Sequence, residues 1–161
     1  MDTTTTLIAG VIVLLCILPV FLMNESRRRR ERRGKAILCE MAGKENTTLA
    51  DCRIEQRFLI GISADKKLLF FARLGEKGEY SRFVFPLKDY VRCVVGHDEH
   101  QEGPKSERCT MIDRVWLSLL PAEQGNETAN LVFYDNNLDQ RALSDEMKIA
   151  EEWQRIIGNC L

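Results

Sequence analysis

The sequence predicts an α+β chain: an apolar N-terminal helix, then a mostly antiparallel β domain, then an amphipathic helix that caps it. Three observations predict this order. Residues 7–23, LIAGVIVLLCILPVFLM, carry no charge. Over residues 53–135, apolar and polar residues alternate in short runs separated by turn formers. After Ser144 the apolar spacing changes to three and four residues, the period of a helix with one apolar face.

The first segment reads as a transmembrane helix. At about 1.5 Å per residue, residues 7–23 span roughly 26 Å, and Thr3 to Thr6 lengthen the segment toward the thickness of a bilayer core. The next twelve residues, NESRRRRERRGK, hold seven positive and two negative side chains. Basic residues beside a span stay on the cytoplasmic side. This reading places residues 1–6 as a short tail outside the cell (inner) membrane and the C-terminal domain in the cytoplasm. A cleaved signal peptide carries its basic residues before the apolar core, the reverse of the order here. Residues 24–35 form the basic juxtamembrane segment, in which Arg27, Arg28, Arg29, Arg30, Arg32, Arg33 and Lys35 are the predicted contacts with the lipid bilayer.

The net charge of −1 hides a division, because residues 36–161 hold sixteen positive and twenty-one negative side chains. An acidic domain without a basic stripe is not expected to bind nucleic acid. Six cysteines and three Asn-x-Ser/Thr triplets, at Asn24, Asn46 and Asn126, suit an exported domain, but the cytoplasmic placement predicts thiols and bare asparagines.

The elements follow in order. Residues 36–52 read as a linker or as a first strand, with AILCEMA open to either a strand or a short helix. RIEQRFLIGIS (53–63) and KKLLFFAR (66–73) form a hairpin through Ala64 and Asp65. LGEKGE is the next turn, and YSRFVFPL places Phe83, Phe85 and Leu87 on one face. YVRCVVG repeats that period with Val91, Cys93 and Val95. HDEHQEGPKSER contains no apolar residue and reads as a solvated loop. MIDRVWLSLLP and NLVFYD are the last strands, six in all. The helix at 144–160 turns Met147, Ala150, Trp153, Ile157 and Cys160 toward the sheet, with Ser144 as its N-cap.

Residues 53–161, with a hairpin before FPLKDYVRCVV and NLVFYD leading into a helix that contains AEEWQRII, resemble the pleckstrin-homology-like superfold as carried by small single-pass bacterial membrane proteins. The resemblance implies a bent sheet or sandwich of seven strands closed by the C-terminal helix. Residues 36–41 would then supply the seventh strand.

For chemistry, the one cluster to test is Cys93, His97, His100 and Cys109, two thiols and two imidazoles able in principle to hold a tetrahedral metal. The intervening spacing of three, two and eight residues fits none of the usual zinc patterns. No phosphate loop, carboxylate pair or oriented nucleophile is present in the sequence, so no cofactor and no catalysis are expected. The aromatic residues Phe70, Phe71, Phe83, Phe85, Trp116, Phe133 and Trp153 read as core, with one of the adjacent Phe70 and Phe71 turned to the opposite face. The expected function is that of a membrane-anchored, non-catalytic cytoplasmic module that binds a protein or lipid partner, with Lys66, Lys67 and Lys77 as ligand-loop residues. The alternative is a metal- or thiol-dependent site at Cys93, His97, His100 and Cys109.

Overall fold

Two antiparallel sheets and two helices make up the computed structural model, which describes residues 3–76, 78–102, 109–123, 127–139 and 143–161, without the side chains of residues 3–23, Glu102 and Cys109. Helix α1 (Thr3–Lys44) is followed by β1 (Leu49–Ile54), β2 (Phe58–Ser63), β3 (Leu68–Leu74) and β4 (Tyr80–Pro86), which form a four-stranded sheet in that order. A 3-10 turn at Leu87–Asp89 leads to β5 (Tyr90–Glu102), β6 (Cys109–Pro121) and β7 (Ala129–Asp135), the second sheet, again in sequence order. Helix α2 (Glu146–Gly158) ends the chain.

The inner faces of the two sheets meet. Phe58, Ile60, Ile62, Leu69 and Phe71 pack against Val115, Leu117, Leu119, Leu131 and Phe133. Ile149, Ala150, Trp153 and Ile157 of α2 join the same core, as their three- and four-residue spacing requires. Phe133 stands 4.6 Å from Phe58 and 5.9 Å from Phe71, centroid to centroid, and so links the sheets.

A second core lies on the outer face of the first sheet. Leu38, Met41 and Ala42 of α1 cover Leu59, Phe70 and Ala72. Strands β2 and β3 are therefore buried on both faces, which accounts for their nearly continuous apolar runs FLIGIS and LLFFARL. Phe71 enters the inner core and Phe70 the outer one. Asn46, with φ of 52°, sits just past the end of α1, and Thr47 N donates to Ala42 O at 3.0 Å, turning the chain back into β1.

No helix among the described residues is long and apolar enough to cross a membrane. Residues 7–23 do not form a separate transmembrane span closed off by the arginines. They are the first part of a 42-residue helix that continues through the basic run to Lys44. The described residues thus carry no helix for a membrane-spanning, single-pass architecture. Residues 36–41 are likewise helix and neither linker nor strand, because Leu38, Met41 and Ala42 find an apolar sheet face to cover. The additional strand is Leu49–Ile54, and the run 53–63 breaks at residues 55–57.

Residues 97–102 are strand and not loop. Residues 97–101 are exposed, and β5 and β6 extend as a two-stranded ribbon held by main-chain bonds and by the pairing of His100 Nδ1 with Asp113 Oδ2 at 2.7 Å. Residues 103–108 lie outside the described residues. Phe83 is 47% exposed: it pairs with Phe71 on the inner face of β4, the edge strand of its sheet. Asp145 and not Ser144 occupies the N-cap position of α2, without a side-chain capping bond, and Ser144 N donates to Glu146 Oε2 at 2.7 Å.

Candidate functional site

The metal constellation is not assembled. Cys93 and His97 share one face of β5 but stand four residues apart, about 13 Å along the strand, whereas His100, three residues beyond His97, faces the other way. His97 Nε2 lies 3.0 Å from Glu99 Oε1, and His100 Nδ1 lies 2.7 Å from Asp113 Oδ2. Cys109 pairs with Glu102 and Cys93 with Leu119, so the two cysteines lie near opposite ends of the hairpin, roughly 30 Å apart. The side chain of Cys109 lies outside those described. Burial pushes the Cys93 thiol up to about 12, which opposes the thiolate that a metal needs. Among the described residues, no three His, Cys, Asp or Glu side chains come together as a metal site.

Lys66 and Lys67 occupy the β2–β3 turn, and Lys77 lies outside the described residues. The arginine run is exposed along α1 from Arg27 to Arg33.

A surface that sequence reasoning missed lies where β5 meets α2. In sheet order β5 is an edge, so one row of its main-chain groups has no neighbouring strand. Gln154 of α2 reaches that row and donates from Nε2 to the Cys93 carbonyl at 3.1 Å. The Cys93 carbonyl therefore points to the open side, and in an extended strand the main-chain groups of Val95 point the same way.

The register of β5 on β6 slips between Tyr90 and Arg92, leaving Val91 without a cross-strand partner. A bulge redirects a side chain. Val91, placed by its spacing on the inner face with Cys93 and Val95, is turned outward and is 62% exposed. Val91, Arg92, Gln154, Arg155 and Leu161 line an open groove of about 570 Å³. Among the described residues, neither Arg92 nor Arg155 has a carboxylate partner. The alternation of YVRCVVG identified the strand, but neither its edge position nor its bulge has a local sequence signal.

No family model, no curated protein and no solved structure matches the chain.

Proposed function

We propose that this chain is a non-catalytic interaction module that takes an extended segment of a partner protein as an added strand along β5. The observation that carries the reading is the hydrogen bond from Gln154 to the Cys93 carbonyl, a side chain standing where the donor of a neighbouring strand would stand. The walls of the groove define the segment. An apolar side chain rests on Val91 and Leu161, and an adjacent carboxylate meets Arg92 and Arg155. We also read the order of four strands, three strands and a closing helix as pleckstrin-homology-like, which supports binding over catalysis.

Selection of a displayed peptide library on the full chain tests the reading. The expected consensus pairs an apolar with an acidic residue. Main-chain N-methylation of the selected peptide, Val91→Lys and Arg155→Glu should each weaken binding about tenfold. Selected peptides indifferent to all three changes, or a selection that yields none, would overturn it.

A further inference from the structure

Helix α1 leaves the domain at Gly34. A Cβ on Gly34 would lie 2.6 Å from Ile54 Cγ2 and 2.9 Å from Leu59 Cδ2, so the helix rests directly on the ends of β1 and β2 at this point. From Arg33 back to Asn24 every side chain except the half-buried Glu25 is exposed. These ten residues overhang the sheet by about 15 Å. The β1–β2 connection supplies the opposite wall of an open cleft of about 1200 Å³.

Five cations line that cleft: Arg27, Arg30, Arg32 and Lys35 from the helix, and Arg53 from the strand side. Its two carboxylates are already engaged, Glu31 with Arg27 at 3.2 Å and Glu55 with Arg53 at 2.9 Å. Among the described residues, Arg30, Arg32 and Lys35 have no carboxylate partner. Three positive groups thus face one space without a counter-charge, on a chain whose residues 36–161 are acidic overall.

The shape selects among anions. A bilayer is flat and reaches only the rim of a two-walled cleft. A peptide is narrow enough to enter, and its carboxylates can pair with guanidinium forks while avoiding the two glutamates. We propose that this cleft binds an acidic peptide segment of a partner protein, with its carboxylates on Arg30, Arg32 and Lys35. The site is separate from the β5 edge and does not depend on it.

The test uses the full chain, fluorescent hexaglutamate as the probe, and two double variants with the same change in charge. Arg30→Glu with Arg32→Glu alters the cleft. Arg28→Glu with Arg33→Glu alters the same helix at positions that do not line it. The cleft variant should lose about tenfold or more in hexaglutamate affinity and the control less than about threefold. Binding to phosphatidylserine-containing vesicles should fall equally in both. Equal loss of peptide affinity, or no hexaglutamate binding by the unaltered chain, would overturn the proposal. Loss of vesicle binding in the cleft variant alone would replace the peptide with lipid headgroups. Thermal unfolding confirms that each variant is folded, and Arg30→Gln with Arg32→Gln repeats the comparison if charge reversal disturbs the helix.

Discussion

Arg73 of β3 and Asp139, just beyond β7, hold the two sheets together across 66 positions of sequence, Nη2 to Oδ2 at 3.2 Å. The second oxygen of Asp139 lies 3.0 Å from Arg57 Nε, as an ion pair and not a hydrogen bond. Asp135 N donates to Asp139 Oδ2 at 2.9 Å, and the two arginines also donate to the carbonyls of Val132 and Leu138. The carboxylate is buried, so its removal strands two largely covered guanidinium groups. Asp139→Asn is expected to cost about 3 kcal/mol in urea unfolding. A loss below about 1 kcal/mol would show that the latch carries little.

Gly34 lies where α1 rests on the ends of β1 and β2. Gly34→Val places new atoms into Ile54 and Leu59 and is expected to destabilise by about 2 kcal/mol, even though valine favours helix over glycine. Ile54→Ala in the same chain should restore part of that loss. Additive losses in the urea midpoints of the two single variants and the double variant would contradict direct contact.

Cys93 makes stability depend on pH in alkali. Its folded-state thiol titrates at about 12 against an ordinary value of 9.0, so the unfolded chain releases this proton first. The stabilisation is complete below pH 9.0 and is lost as pH rises toward about 12. The contribution falls by up to about 1.4 kcal/mol per pH unit in that window. Cys93→Ala should flatten this slope, as read by guanidinium unfolding across the range. An unchanged slope would rule out Cys93 as its source.

Trp116 covers Gly96 across the β5–β6 pair so closely that a Cβ would fall within 2.6 Å of the indole. The indole Nε1 donates to Ser118 Oγ at 3.1 Å, and Ser118 donates to Asn130 Oδ1 at 2.7 Å. Gly96→Val should displace the ring, shift its fluorescence and cost about 1 to 3 kcal/mol. An unmoved emission spectrum would count against the contact.

The alternation of Val115, Leu117 and Leu119 and the helical spacing of Ala150, Trp153 and Ile157 made β6 and α2 readable, because one buried face leaves a period. Strands β2 and β3 were harder. With both faces buried they lose the alternation, and nothing near them tells whether a helix covers the outer side. That covering comes from Leu38, Met41 and Ala42, in a stretch the sequence leaves open between strand and short helix because its apolar partners follow later in the chain. The long apolar run at 7–23 misled in a similar way, since a stretch assessed alone does not reveal that the helix continues to Lys44. The open groove was hidden because Val91 leaves its face through a bulge, and the edge position of β5 is a property of the whole sheet.

Enclosure of β2 and β3 on both sides also sets an order of opening. Their amide protons reach solvent only when α1 is lifted or the sheets part, so deuterium should enter the β2–β3 hairpin last, at the rate of global unfolding. The outer ribbon of β5 and β6, exposed over residues 97–101, should fill with deuterium much earlier while the rest of the molecule stays closed.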